Sequence, residues 1–319
     1  MKPSMPMPND RSTGPAHAEG SVAMTTLGRQ ARRVVLASVA LLLAACSQLQ
    51  LGYNNADTVI AYSLDSYLDL DDEQERLARE RIAALHRWHR GTQLPGYVQL
   101  LNDAQKKVAG AVTAADVREF NNGVRRALAA LGEQAAPDLA KLALTLKPAQ
   151  VDRLAERLSR DSSKARRELV RFAGPQSLEQ RVERYVEQAE DWFGTLSAAQ
   201  RETIRSSLAR RPEAQEAWMQ ERERRQSELV AVMTRIRAEQ PPPAVAAAWL
   251  REYFAQLAEP REPERRARLA SYREENAELV AQLINGATPA QRSALAKKLR
   301  GYAADLETLA AKGAAGGSG

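Results

Sequence analysis

LDDEQERLARERIAALHRWHRG, residues 70–91, decides the fold class. At about 100° of rotation per residue, Leu77, Trp88, Arg81, Leu85, His89 and Ile82 fall, in that order, within an arc of about 140°. One apolar stripe therefore runs along a helix, with two intruders, Arg81 and His89. Asp71 and Asp72 stand at its start, where the helix dipole favours acids. Gly91 has the place of a C′ glycine and is expected to end the helix. A buried guanidinium is costly unless paired, so Arg81 needs a carboxylate. Asp57, Asp65 or Asp69, just upstream, is the expected partner in an ion pair that locks the first two helices. The functional alternative is a pocket for an anion around Arg81.

The opening of this stretch recurs. Leu70-Asp71-Asp72-Glu73-Gln74 is echoed by Leu146-Lys147-Pro148-Ala149-Gln150, Leu196-Ser197-Ala198-Ala199-Gln200 and Ala287-Thr288-Pro289-Ala290-Gln291. In three of the four a capping residue stands three before the glutamine, as a capping box requires. The glutamines are 76, 50 and 91 residues apart, and that irregularity argues against a solenoid, where a fixed period is expected. The phrase resembles the Leu-Thr-x-x-Gln motif of small helical periplasmic chaperones of the Spy and CpxP type. Capping chemistry alone also generates it.

The rest of the chain follows the same helical grammar. After a tether, Ser47 to Tyr53, Asn54 or Asn55 is placed to cap a helix over Ala56 to Leu68. Pro95 starts a third helix, and Thr113 with Asp116 caps a fourth. Pro137 is expected to start a short one. A long helix follows Pro148 to about Ala173, where Gly174-Pro175 breaks it. Further helices are expected to Phe193, from Ser197 to Arg210 and from Pro212 to Glu239. Beyond the break at Gln240 to Pro243, others run from Ala244 to Ala258, Glu264 to Asn285 and Pro289 to Ala311. Period-2 alternation and β-branched runs are absent. Charged residues make up 27% and aromatics only 5%, which suits helices with solvated, ion-paired outer faces. The fold class is all-α: an irregular multi-helix bundle or an array of antiparallel helical hairpins. Residues 46–311 form the helical domain, with a candidate subdivision near 174–196, and 312–319 form a flexible tail.

Upstream lies an address. Arg29, Arg32 and Arg33 precede the uncharged run Val34 to Ala45, twelve residues long. A membrane span needs about 20 apolar residues, so the run is too short to cross and reads as a signal peptide. It closes on Leu43-Ala44-Ala45-Cys46, which resembles the bacterial lipobox, whose cysteine is acylated and becomes the new N-terminus. Cys46 is the sole cysteine. Once acylated it leaves no thiol for a disulfide, a nucleophile or a thiolate metal site. Ser47 in the next position implies, by the same resemblance, an outer-membrane address facing the periplasm. Residues 1–23 read as a disordered extension, with translation starting at Met24.

The formal charge is +6, but residues 1–45 carry five basic and two acidic residues, which leaves +3 from Cys46 onward. That mild excess and the exported address both speak against a nucleic-acid partner. The expected partners are the membrane, through the anchor, and other envelope proteins. The basic clusters Arg222 to Arg225 and Arg261 to Arg268 are interleaved with glutamates and read as solvated faces, or as contacts to anionic lipid.

Leu51-Gly52-Tyr53-Asn54-Asn55-Ala56-Asp57, then Trp88-His89-Arg90 and Leu94-Pro95-Gly96-Tyr97, resemble a family of uncharacterised proteobacterial lipoproteins, a domain of unknown function. The resemblance implies a helical outer-envelope lipoprotein and brings no catalytic residues with it.

Chemistry-bearing candidates are few. His86 and His89 stand three apart on neighbouring helical faces and can share a metal only if another ligand joins, such as Asp65 or Asp69. The other arrangement packs His89 in the stripe beside Trp88, with His86 at its edge. No metal and no other cofactor is expected. Nucleophile-elbow, phosphate-loop and dinucleotide phrases are absent. The sequence thus points to a non-enzymatic envelope lipoprotein that binds through helical surfaces. A holder of unfolded proteins is the alternative, and a His-dependent enzyme comes third. Cys46 is assigned to lipidation, and His86, Trp88, His89, Arg81 and Asp57 are the candidates for a binding or structural cluster.

Overall fold

The computed structural model describes residues 48–171 and 176–315. Cys46, the segment read as a signal peptide, Gly174-Pro175 and residues 316–319 lie outside the described residues. The described residues are mostly helical, joined by short connections, with no strand among them. In chain order the helices are α1 (Ala56–Leu68), α2 (Asp72–Trp88), α3 (Leu94–Lys107), α4 (Ala114–Thr145), α5 (Pro148–Arg171) and α6 (Gln176–Phe193), then α7 (Ala198–Ala209), α8 (Ala214–Glu239), α9 (Pro243–Ala258), α10 (Pro263–Asn285) and α11 (Pro289–Ala315). No described helix is long and apolar enough to cross a membrane.

The recurrent glutamine phrases explain how these helices are tied. At α2 the Gln74 amide N–H donates to the Asp71 carboxylate at 3.1 Å, and the Asp71 N–H donates back to Gln74 Oε1 at 3.1 Å. Ser197 with Gln200 and Thr288 with Gln291 repeat this capping box. Lys147 has no capping oxygen, yet its N–H still donates to Gln150 Oε1 at 2.8 Å. All four glutamines are buried.

They are buried because they meet in pairs. Gln74 Nε2 donates to Gln150 Oε1 at 3.1 Å, and Gln150 Nε2 returns a bond to Gln74 Oε1 at 2.7 Å. The remaining amide hydrogens reach the carbonyls of Thr145 and Asp69, both at 2.8 Å. Gln200 and Gln291 exchange bonds at 3.1 Å, and Gln291 also donates to the Thr195 carbonyl at 2.7 Å. Each pair sets two helix N-termini against each other, with a polar centre whose hydrogen bonds are internally satisfied.

Helix α4 is the central strut and packs on α2, α3, α8, α9 and α10. Its buried face is made of small residues, Gly132, Ala136, Ala140 and Ala143, which lets Ala246, Ala247 and Leu250 of α9 approach closely. A Cβ on Gly132 would lie 2.8 Å from Phe254 Cβ, so only glycine fits there. Pro137 sits inside this helix rather than starting one. A mid-helix proline costs about 3 kcal/mol. The buried alanines flanking it keep the helix continuous against α9.

A second core joins α6, α7, α10 and α11 with the start of α4, through Val117, Val186, Ile204, Leu279 and Leu299. Its members come from within residues 174–196 and from both sides of them, and the described residues from Leu49 onward cluster as one compact unit. A third core, Leu68, Leu146, Val151 and Leu154, ties α1 to α5 beneath the first glutamine pair.

Three other boundaries differ from expectation. Residues 48–54 are already helical where a tether was expected. Asn55 stands at the N-cap of α1 but does not cap it; its Nδ2 donates to the Leu51 carbonyl at 2.8 Å and so continues the upstream helix. At the other end α11 runs on to Ala315, into the segment expected to be a tail, since Ala and Lys favour helix.

The basic clusters are largely neutralised from within. Arg265 is only 2% exposed, and its guanidinium grips Glu221 at 2.8 and 2.9 Å and Glu228 at 2.9 Å. Arg225 shares Glu221 at 2.6 Å, and Arg224 shares Glu228 at 3.3 Å. This buried network pins α10 to α8.

Candidate functional site

The helix that opens at Asp71 does not stop at Gly91. Residues His89–Gln93 form one π turn, and the chain passes through it into α3. The Leu94 N–H reaches the His89 carbonyl, five residues back, and the Thr92 hydroxyl takes up the Trp88 carbonyl at 2.7 Å. Gly91 is absorbed inside the turn because Pro95 at the start of α3 has no N–H to lose. Single π turns inside α-helices recur at functional sites.

This turn is where the distinctive phrases of the sequence meet. The Tyr53 hydroxyl lies 2.8 Å from His89 Nδ1, and the Tyr97 hydroxyl lies 3.0 Å from His89 Nε2. Tyr97 reaches back eight residues because helical side chains lean toward the N-terminus. Arg90 donates to Asn54 Oδ1 at 2.7 Å and covers the Tyr53 ring at 5.2 Å. The His86 ring packs on Tyr53 at 4.7 Å, and Trp88 meets His89 edge-on at 6.4 Å.

A neutral imidazole has one donor and one acceptor. One phenol therefore donates to His89 while the other accepts from it, and the three rings form a continuous hydrogen-bonded relay. Burial pushes the Tyr53 phenol up to about 12, despite the opposing charge of Arg90. Burial, and after it the charge of His86, holds His89 below its ordinary value. Burial, and then Arg90, lowers His86 likewise, with Asp57 opposing from α1. Both histidines are therefore neutral near pH 7.

The sign of the linkage follows. The unfolded chain takes up a proton near about pH 6.5, and folded His89 does so only at lower pH. Its contribution to stability is full above about 6.5 and is lost as the pH falls below it. In a proton-NMR titration the His89 ring signal is expected to move with a midpoint below about 6.5; a midpoint at or above that value contradicts the buried relay.

The other predicted residues sort as follows. Arg81 is paired, but not with Asp57, Asp65 or Asp69: its nearest carboxylates are Glu80 at 3.4 Å and Asp138 of α4 at 3.8 Å. The stripe of α2 faces α4, which carries Arg81 away from the upstream acids. Asp69 instead meets Arg153 at 3.1 Å. Asp57 accepts from the Thr58 N–H at 2.8 Å. Among the described residues no group of three or more His, Cys, Asp or Glu side chains could hold a metal ion, and both His89 nitrogens face tyrosines.

Tyr53 and Tyr97 are the members that sequence reasoning missed. Both stand in the distinctive phrases, which was the available signal; neither is a sequence neighbour of His89. Tyr97 also opens onto a cleft of about 1180 Å³ between α3, α4, α6, α10 and α11. Leu100, Val117, Phe120, Trp192, Val280 and Leu283 contribute its apolar floor. Its rim carries both signs of charge, Asp103, Lys106, Asp116, Glu119 and Arg126. Across one edge Lys107 pairs with Asp116 at 2.6 Å.

No curated protein and no solved structure matches this chain significantly. Residues 66–246, more than half of the chain, match the pattern of a family of unknown function, a stretch that holds the π turn, His89 and Tyr97 but stops short of Tyr53. The chain therefore belongs to this family of unknown function (DUF6279).

Proposed function

We propose that this protein is a lipid-anchored envelope lipoprotein that performs no catalysis and captures a partner protein in the cleft beside the π turn. The cleft carries the reading. At about 1180 Å³ it is larger than most small-molecule sites. Its apolar floor with a mixed-charge rim has the anatomy of a protein interface. The Tyr53–His89–Tyr97 relay serves to hold the incoming helical segment and α3 in register at one end of that cleft. It lends catalysis no support, since each histidine nitrogen in it is occupied by a phenol. The anchor reading rests on Arg29 to Cys46.

A holder of unfolded proteins would have to draw on exposed glutamine phrases and free basic clusters. The glutamines are buried against one another and the arginines are paired with glutamates, so neither supports that role.

Gln99 and Gln188 are exposed and line the cleft. A photo-crosslinking residue at either position in living cells is expected to capture one discrete protein, with Arg160, on an exposed face, as the control site. Labelling no different from the control removes the cleft reading. Separately, Cys46→Ser is expected to abolish incorporation of a labelled fatty acid; continued incorporation removes the anchor.

A further inference from the structure

A second cavity, of about 560 Å³, lies between α1, α2, α4, α9 and α10, with Arg225 of α8 at its edge. This volume is in the range of small-molecule sites. Its α4 wall extends from Arg125 to Leu142. At about 1.5 Å per residue that makes a slot about 25 Å long. Leu128, Leu139 and Leu142 line it together with Leu64, Leu77 and Leu85. Near its middle, Phe254 of α9 packs directly over Gly132 and supplies part of the apolar wall. Ile60 and Leu128 are 52% and 62% exposed and form an apolar lip.

One end of this apolar slot is cationic. Arg125, Arg225 and Arg273 reach it from three different helices. Their acidic neighbours are already divided: Glu221 serves both Arg225 and Arg265, and Glu259 lies 4.0 Å from Arg273 and 3.7 Å from Arg266. Arg125 hydrogen-bonds to Asn122 and makes no ion pair among the described residues. Burial, followed by the charge of Arg125, holds the Arg273 guanidinium below its ordinary range. Converging cations that repel one another over an apolar slot are stabilised by an anion bearing an apolar chain.

We propose that this slot binds a single-chain amphiphilic anion, its acyl chain lying along α4 and its acid head held by Arg125, Arg225 and Arg273. A fatty acid and a lysophospholipid share this chemistry. The slot is separate from the cleft assigned to a protein partner, and the two readings stand or fall independently.

Equilibrium dialysis tests it, using the full chain carrying Cys46→Ser so that no anchor chain competes. The probes are labelled palmitate, 1-palmitoyl lysophosphatidic acid and, as the uncharged control, hexadecanol. Saturable binding of at least one anion is expected, with hexadecanol about tenfold weaker or more, and the tighter anion identifies the head group. Ala129→Trp, at an exposed position lining the slot, is expected to abolish binding with an unchanged circular dichroism spectrum. Arg125→Gln and Arg273→Gln are each expected to weaken it about tenfold. Absence of saturable binding, hexadecanol binding as tightly as the anions, or full binding by the two arginine variants overturns the proposal.

Discussion

Replacing Arg265 with Met is expected to destabilise the protein by about 3–5 kcal/mol at neutral pH, the largest effect expected of any ion pair here. Arg265 is 2% exposed and is the shared cation of Glu221 and Glu228. Methionine fills much of its volume but leaves both carboxylates short of a partner inside the α8–α10 interface. Arg265→Lys keeps the charge, but an ammonium cannot span two carboxylates as a guanidinium does, so a smaller loss is expected. The pH dependence separates charge from packing. Burial raises the Glu221 carboxyl, but hydrogen bonds from Arg265 and Arg225 outweigh it and leave Glu221 below its ordinary range. The stability it gives the wild type is present above about pH 4.3, and it is lost as the pH falls through the depressed folded value. In the Met variant the part supplied by Arg265 is already gone, and the pairing with Arg225 remains. Denaturant midpoints for the two proteins should therefore converge only as the pH falls below about 4.3, through the depressed folded value of Glu221. A gap that stays constant with pH would show that lost packing, not the buried charges, sets the cost.

The second large effect belongs to the glutamine pairs. Gln150→Ala removes the acceptor of the Lys147 N–H, the donor to the Asp69 carbonyl and both bonds to Gln74. Leaving several buried polar groups unpaired is expected to cost about 3 kcal/mol. Gln74→Ala should cost a similar amount. Because each variant orphans the partner the other removes, the double variant should be less damaging than the sum, by about 1–2 kcal/mol. Gln150→Ala combined with Gln200→Ala should be additive, since the two sit in different pairs. Chemical denaturation of the three single variants, Gln74→Ala, Gln150→Ala and Gln200→Ala, and of the two double variants checks both statements, and additivity within the Gln74–Gln150 pair would dismiss the shared network.

How much of this was legible in the sequence depends on the range of the cause. Capping boxes are local, and Asp71, Thr113, Ser197 and Thr288 were readable because their partners stand three residues away. The all-α class followed from periodicity, which is also local. Pro137 misled because α9 packs over it, and Gly91 because a local π turn running into α3 takes it in. Arg81 found Asp138 rather than an upstream acid because α2 faces α4, and no sequence spacing encodes that. His89 was marked as an intruder on an apolar stripe. Its two phenols, 36 residues upstream and eight downstream, had to be brought in by the fold. The meeting of the glutamine phrases in pairs was likewise hidden, although the phrases themselves were plain.

Those pairs also order events in time. They close loops of 76 and 91 residues that neither overlap nor nest. Closing a loop costs entropy that grows only slowly with its length, so each closure is independently accessible. A chain appearing from its N-terminus can seal the first as soon as Gln150 is free, while the second must wait for Gln291. The long-range packing of α4 on α9 and α10 comes after both α4 and residues beyond 243 exist. Such non-local contacts slow folding relative to a simple helical bundle. From chain order alone, the first closure is expected to precede the packing that completes the surroundings of the central strut.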